Sequence, residues 1–170
     1  MEANPFKISG IVTGDSFIDR ADELRAVLGT MQGQGEKMLI YGQRRMGKSS
    51  IMINAAARFR KSKGSVVYAD ISPATSLADV ANILLSAFNK ETGGSINWMD
   101  VLRQIKIGFN VSHDGVPSFD VSLKNKSEQE QLACLTEVLD ALDAYAAGKK
   151  LTLIIDEFQK MVEFGADEAE

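Results

Sequence analysis

The sequence predicts an α/β protein with a mostly parallel sheet. Short apolar runs suited to strands alternate along the chain with segments whose apolar residues recur at helical spacing. One run, LTLII at 151–155, is continuously apolar, as are strands buried on both faces of a parallel sheet. A chain of 170 residues, 45% of them hydrophobic, is long enough to bury one core. We therefore expect residues 1–170 to form a single domain.

The first predicted helix lies within SFIDRADELRAVLGTMQGQG at 16–35. Phe17 is its hydrophobic lead-in and Asp19 its expected N-cap. The apolar face of this helix consists of Leu24, Val27, Leu28 and Met31. The run KMLIY at 37–41 then predicts a short strand, and a second helix is expected from about Ser49 to Lys61.

The same alternation continues through the rest of the chain. SVVYADIS at 65–72, rich in β-branched residues, predicts a second strand. A third helix is expected from Ser76, with Leu77, Val80, Leu84 and Phe88 on one face. A capping box, Ser127 to Glu130, opens the next helix, whose predicted apolar stripe consists of Leu132, Leu135, Leu139 and Leu142. LTLII follows as a strand.

One segment departs from this pattern. IKIGFNVSHDGVPSFDVSLKN at 105–125 alternates apolar and polar residues on both sides of HDG, which predicts an antiparallel hairpin inserted into the α/β order. One strand would present Ile105, Ile107, Phe109 and Val111, and the other Phe119, Val121 and Leu123.

The composition excludes several classes of site. Cys134 is the only cysteine and His113 the only histidine, so an intramolecular disulfide and a cysteine-rich or two-histidine metal site are ruled out. A net charge of −4 gives no general electrostatic reason to bind nucleic acid. The amino terminus lacks a signal-peptide pattern, and no apolar run approaches the ~18 residues of a membrane span. We expect a cytoplasmic protein with no membrane partner, in which Cys134 packs in the core.

The turn after the first predicted strand carries the chemistry. Gly42, Gly47, Lys48 and Ser49 match G-x-x-x-x-G-K-[ST]. The glycines let successive backbone N–H groups point at phosphate oxygens, and the following helix aims its positive dipole end at the same place. Lys48 is expected to reach the β- and γ-phosphates, and the Ser49 hydroxyl to ligate Mg²⁺. The alternative is a plain strand-to-helix turn.

A second candidate site follows the strand LTLII. Asp156 and Glu157 come at its carboxyl end, where ligands of open α/β sheets bind. We expect Asp156 to hold Mg²⁺ through water, and Glu157 to orient and polarise an attacking water. Alone, the pair is equally well an acidic turn at the surface. Together with the glycine loop it predicts a Walker B site.

Four segments, FIDRADEL, LIYGQRRMGKSSI, VVYADIS and LIIDEFQKM, occur in the order seen in archaeal-type ATPase domains of the STAND and AAA+ side of the P-loop NTPases. The chain resembles that family over nearly its whole length. The resemblance implies a three-layer P-loop fold, with ATP and Mg²⁺ as cofactors. It also implies a sensor strand between the phosphate-loop strand and the Walker B strand. We expect that strand and the C-terminal region of the family to lie outside these 170 residues.

The resemblance also implies which residues contact the nucleotide. Along the loop these are Gly42, Gln43, Arg44, Arg45, Met46, Gly47, Lys48, Ser49 and Ser50. Phe17 and Arg20 belong to an F-x-x-R-x-x-E-L element that is expected beside the base. The alternative is an amphipathic first turn with a solvated Arg20–Glu23 pair, and for Arg44 and Arg45 it is exposure at the loop tip.

The expected function is Mg-dependent binding and hydrolysis of ATP. Glu157 and Lys48 are the expected catalytic residues, and Ser49 and Asp156 the expected metal ligands. The alternative is a nucleotide-gated interaction or assembly module with little or no turnover, in which a second copy or a partner chain completes the sheet. A small-molecule kinase is a weaker third hypothesis, because no arginine-rich lid follows the Walker B residues.

Overall fold

The computed structural model describes residues 10–14, 17, 20–33, 35–93, 97, 109–111, 117–119 and 121–165. The elements in chain order are α1 (Ala21–Gln32), α2 (Lys48–Lys61), β1 (Ser65–Asp70), α3 (Leu77–Glu91), β2 (Phe109–Val111), β3 (Pro117–Phe119), α4 (Glu128–Ala146) and β4 (Leu151–Asp156), with 3₁₀ helices at Val121–Asn125 and Phe158–Gly165. The mixture of helices and strands agrees with the predicted α/β class.

The chain divides into two compact units. The first comprises the chain up to residue 66 together with 150–152, and the second comprises 67–149 together with the chain from 153 onward. The prediction of a single domain over 1–170 stays a prediction.

Helices α1 and α2 pack together in the first unit. The face of α1 predicted from helical spacing is buried at Leu24, Val27 and Met31, and half-buried at Leu28. The N-cap position belongs to Arg20 rather than to Asp19 as predicted, because Arg20 adopts a left-handed conformation (φ 66°) that starts the helix one residue later. Asp19 itself lies outside the described residues.

A tight turn joins α2 to β1. A Cβ added at Gly64 would lie 2.1 Å from the ring of Phe59, which is itself only 2% exposed. Glycine is therefore required where the backbone passes the buried ring. The observed end of α2 at Lys61, three residues before this glycine, agrees with the predicted end of the helix.

The strand predicted at 37–41 does not form. These residues belong to neither of the two described sheets, and Met38, Leu39 and Tyr41 are 45%, 72% and 87% exposed. A strand requires a neighbour that pairs with its backbone, and no described strand pairs with this segment. The prediction was wrong because an apolar run is necessary for a buried strand but does not supply its partner.

Helices α3 and α4 pack against each other in the second unit. The Ser76 hydroxyl caps α3 by accepting from the Asp79 amide (3.2 Å), and the predicted capping box of Ser127 and Glu130 opens α4. The buried side chain of Gln131 accepts from the Ala78 amide (3.3 Å), which ties α4 to the start of α3.

The buried face of α4 differs in part from the predicted leucine stripe. Leu135 and Leu142 are buried, but Leu132 and Leu139 are 51% and 37% exposed. The remaining buried positions are Gln131, Cys134 and Val138. Burial, with the nearby Glu137 carboxylate, raises the pKa of the Cys134 thiol to about 11, so this cysteine is the core residue that the sequence predicted.

The hairpin is present, but its second strand is shorter than predicted. β2 and β3 pair antiparallel with Phe109 opposite Phe119 and Val111 opposite Pro117. The predicted strand residues Val121 and Leu123 instead belong to a 3₁₀ helix that contacts α3, where Leu123 is buried. Ile105, Ile107 and His113, which belong to the predicted hairpin, lie outside the described part of the chain.

Strands β1 and β4 form a two-stranded parallel sheet. The Ser65 amide donates to the Lys150 carbonyl (2.8 Å) and the Ile71 amide to the Asp156 carbonyl (3.2 Å), so the two strands begin and end together. Burial on both faces was predicted for β4, but only Ile154 and Asp156 are buried there. Among the described strands β4 has a neighbour on one edge only, which leaves its other residues partly accessible.

No described helix is both long enough and apolar enough to cross a lipid bilayer.

Candidate functional site

The glycine loop turns the chain into α2 through an unusual backbone. Gly42, Arg45 and Gly47 have φ angles of 149°, 66° and 76°. Gly47 is the N-cap residue of α2, where glycine adopts a left-handed conformation that other residues rarely reach. This N-terminus has no side-chain cap and no acidic residue in its first turn. The first amides of α2 are therefore not capped by a side chain of its N-cap residue.

The first amides of α2 precede its hydrogen-bond ladder. The first helical bond runs from the Ile51 amide to the Gly47 carbonyl (3.0 Å). The amides of Lys48, Ser49 and Ser50 come before it, and the first N–H groups of any helix have no partner within the helix. Such amides, at the positive end of the helix dipole, are the elementary form of an anion site.

Lys48 lies over the same loop. Its Nζ donates to the carbonyls of Gly42 and Gln43, at 3.1 Å each. These bonds hold the ammonium group at the loop while the side chain remains partly accessible. The Lys48 ammonium group therefore lies at the glycine turn for which the sequence pattern predicts phosphate binding.

A small cleft adjoins the loop. It holds about 260 Å³ and is lined by Val12, Phe17, Arg20, Arg45, Met46, Gly47 and Ser50. Arg20 reaches the loop, since a Cβ added at Gly47 would lie 3.6 Å from its Nη1 atom. Phe17 and Arg20, which the sequence predicted beside the base, therefore line the same cleft as three residues of the glycine loop, Arg45, Met46 and Gly47.

The remaining predicted loop residues have different environments. Arg44 and Gln43 are exposed, and Ser49 is half-exposed. Ser50 is buried, and its hydroxyl accepts from the Val12 amide (3.0 Å). The Ser50 side chain therefore has a structural partner in addition to the nucleotide contact expected of it.

Asp156 ends β4 and is 8% exposed. Its Oδ1 accepts from the Glu157 amide (2.9 Å), and its Oδ2 accepts from the Tyr68 hydroxyl on β1. These two bonds fix the plane of the carboxylate. Each oxygen keeps a further acceptor site, because a carboxylate offers about four lone-pair positions.

Glu157 follows in a strained conformation. Its φ is 59°, which is rare for a residue with a Cβ and costs on the order of 1–3 kcal/mol. Its Oε2 accepts from the Gln159 side chain, and its carbonyl accepts from the Lys160 amide (2.9 Å). Asp70, at the end of β1, is exposed and accepts from the Ser72 amide (2.9 Å), as strand-end carboxylates often do.

The residues expected to hold Mg²⁺ are oxygen donors, the type of ligand that this cation prefers. No group of three His, Cys, Asp or Glu side chains converges anywhere in the described residues. Mg²⁺ does not need such a cage, since it keeps several waters and uses one or two protein oxygens. The Ser49 hydroxyl and the Asp156 carboxylate are oxygen donors of that kind.

Two residues of these surroundings were not predicted from the sequence. Tyr68 was assigned only to a strand, because the register of two parallel strands cannot be read from their sequences. Asn54 was assigned only to a helix, although a polar residue on the buried face of α2 signals that a hydrogen-bonding partner is needed.

A glycine turn that presents helix N-terminal amides and a lysine defines the phosphate-loop class of α/β proteins. The family model described as "ATPase domain predominantly from Archaea" matches residues 17–170. This chain belongs to that family. Neither a curated protein nor a solved structure matches the chain.

Proposed function

We propose that this protein binds ATP with Mg²⁺ at the loop Gly42–Ser50 and hydrolyses it, as a three-layer P-loop ATPase domain of the STAND and AAA+ kind. The observation that carries the proposal is the loop-to-helix junction. Three amides precede the first helical hydrogen bond of α2, and the Lys48 ammonium lies on the carbonyls of the same loop. Family membership supports the same activity.

Phosphate binding follows from this junction. The amides of Lys48, Ser49 and Ser50 would donate to phosphate oxygens, assisted by a dipole charge of roughly +0.5 at the helix N-terminus. Lys48 would exchange its two neutral carbonyl acceptors for the β- and γ-phosphates. That exchange favours the bound state, because hydrogen bonds between charged groups are stronger than bonds to neutral acceptors.

Mg²⁺, when bound, neutralises charge on the phosphates, and the Ser49 hydroxyl and Asp156 would hold it, the latter through water. The bonds from Tyr68 and from the Glu157 amide orient Asp156 for that task. Glu157 is proposed as the general base. It would take a proton from the attacking water, whose oxygen bonds to the γ-phosphorus as the bond to the β-phosphate oxygen breaks.

Binding is tested with a fluorescent ATP analogue, titrated into the protein in the presence of Mg²⁺ with ATP and GTP as competitors. We expect saturable binding that ATP displaces better than GTP. Lys48→Ala should weaken it at least about tenfold, the loss of one charged hydrogen bond. Lys61→Ala, an exposed lysine at the other end of α2, is the matched control and should bind normally. A folded wild-type protein that binds no nucleotide would contradict the proposal.

Hydrolysis is tested by phosphate release under steady-state conditions. Glu157→Gln should lower kcat by about 10²–10⁴-fold, the usual contribution of a general base, while leaving ATP binding intact. Glu163→Gln alters an exposed glutamate of the following 3₁₀ helix and should turn over normally. Equal rates in the two variants would remove Glu157 from catalysis.

The alternative is a nucleotide-gated interaction module, in which ATP binding changes assembly rather than driving turnover. The exposed apolar residues Leu39 and Tyr41, directly before the loop, support this reading. Tight ATP binding without phosphate release, together with a nucleotide-dependent change in molecular mass in solution, would favour it. Cytoplasmic location and a partner that completes the sheet are part of the same proposal.

A further inference from the structure

Two residues of α2 hold the segment 10–14 that precedes the first helix. The Ser50 hydroxyl accepts from the Val12 amide (3.0 Å). The Asn54 Oδ1 accepts from the Gly14 amide (3.1 Å), and its Nδ2 donates to the Val12 carbonyl (2.8 Å). Nδ2 also donates to the Ser50 carbonyl (2.7 Å). We refer to these four hydrogen bonds as the amide clamp.

The chemistry of the clamp depends on a carboxamide. Asn54 accepts from one backbone amide and donates to two carbonyls, so it acts toward 12–14 as a neighbouring strand would. Its side chain and that of Ser50 are buried, at 8% and 7% exposure. Loss of the carboxamide would remove three hydrogen bonds, two of which hold the segment 10–14 at Val12 and Gly14.

The clamp extends to the cleft beside the phosphate loop. The Gly14 carbonyl accepts from the Phe17 amide (3.0 Å), which carries the constraint from Asn54 to the aromatic residue of the cleft. Val12 and Ser50 line the same cleft directly. Ser50 and Asn54 are one helical turn apart on α2, the helix that begins at the loop. One helix therefore positions both the phosphate-binding amides and one wall of the cleft.

The cleft fits only part of a ligand. Its volume of about 260 Å³ is below the ~300–1,000 Å³ of a complete small-molecule site, while the phosphates would lie outside it on the loop amides. An aromatic ring and a thioether, from Phe17 and Met46, are suited to the flat face of a heterocyclic base.

We propose that Asn54 is a positioning residue that sets the affinity of this site for the nucleoside end of its ligand. It acts through the amide clamp, which fixes the wall formed by Val12 and Phe17, and not by touching the phosphates. This inference rests on the proposed function, because it requires a nucleotide at the loop.

The test compares ATP with inorganic tripolyphosphate, which has the phosphates but no nucleoside. Asn54→Ala should weaken ATP binding about tenfold, equivalent to ~1.4 kcal/mol, and change tripolyphosphate binding less than about twofold. Ser50→Ala, which removes only the acceptor for the Val12 amide, should show the same ATP-selective loss to a smaller extent. Asn125→Ala alters an exposed asparagine of the second unit and should change neither affinity.

Amide hydrogen exchange of the free protein tests the clamp without any nucleotide. The Gly14 amide should exchange at least about tenfold faster in Asn54→Ala than in the wild type, and the Val12 amide should do so in Ser50→Ala. Unchanged exchange in both variants would overturn the clamp.

The remaining outcomes separate this inference from the proposed function. An equal loss of ATP and tripolyphosphate affinity would overturn it, because Asn54 would then support only the loop. Normal ATP binding by Asn54→Ala would also overturn it and leave the proposed function standing. A folded wild type that binds neither ligand would end the proposed function, and this inference with it.

Discussion

Two apolar segments of similar length precede the two candidate parts of the site, and they have opposite fates. LTLIID at 151–156 forms β4, pairs with β1 and places Asp156 in a buried position. KMLIY at 37–41 leads into the glycine loop but forms no strand, and Leu39 and Tyr41 face solvent. The sequences of the two segments predict the same element.

The difference lies in the neighbours. β4 satisfies backbone groups through bonds such as that from the Ile71 amide to the Asp156 carbonyl (3.2 Å). Segment 37–41 has no described strand beside it, so its backbone must be satisfied otherwise. Pairing with β1 therefore holds the end of β4 that carries Asp156. The turn after segment 37–41 is instead held by its own contacts, such as the bond from Lys48 Nζ to the Gly42 carbonyl (3.1 Å).

The largest expected effect is on stability and contrasts two aliphatic residues. Ile154→Ala in β4 should lower the free energy of unfolding by roughly 2–5 kcal/mol, because the removed side chain is 7% exposed. Leu39→Ala should change it by less than about 0.5 kcal/mol, since that side chain is 72% exposed. Urea denaturation of both variants gives the two values. Similar losses would mean that 37–41 is buried in solution.

A second, smaller effect contrasts two tyrosines. Tyr68→Phe removes the hydroxyl that donates to Asp156 and should cost about 1.5 kcal/mol, the lower end for hydrogen bonds to charged groups, because Tyr68 is partly exposed. Tyr41→Phe, at an 87% exposed side chain, should leave the stability unchanged within error. Thermal and urea unfolding measure both variants. No loss in Tyr68→Phe would show that the phenol does not hold the Asp156 carboxylate.

The smallest expected effect is a loss of stability in acid, which depends on Asp79 in the first turn of α3. Burial alone raises the pKa of the Asp79 carboxyl, but hydrogen bonds from Lys124 and Thr75 outweigh it and lower this pKa from 3.8 to about 2. The folded state therefore gains stability from the carboxylate above pH 4 and loses it as the pH falls toward 2. The contribution should be about 1 kcal/mol or less, since the Lys124 partner is substantially exposed.

Unfolding measured between pH 2 and 6 checks this effect. Asp79→Asn should flatten the acid limb of the stability profile, and Lys124→Met should flatten it in part by removing the cation 2.5 Å from the carboxylate. If both variants show the same pH dependence of the free energy of unfolding as the wild type, the Asp79 carboxylate and its bond to Lys124 contribute nothing to stability.

The sequence was a good guide wherever the controlling interactions are local. The capping box of Ser127 and Glu130, the cap at Ser76 and the start of α2 at the glycine loop all depend on residues within four positions of each other. The sequence was a poorer guide to which face of a helix is buried and to which distant residues it contacts. Leu132 and Leu139 have the spacing of a buried stripe, but α4 buries Gln131 and Cys134 toward its neighbours instead.

By itself, the sequence determined the glycine loop, the lysine that follows it and the carboxylate pair at the end of an apolar run, because these are patterns of adjacent residues with local geometry. The tertiary structure alone decided which apolar run became a strand. It also decided that Tyr68 meets Asp156 and that Asn54 holds the segment at Val12 and Gly14. Those contacts join residues 88, 42 and 40 positions apart in the chain. Only packing can bring such residues together, since no local pattern encodes a partner so distant in the sequence.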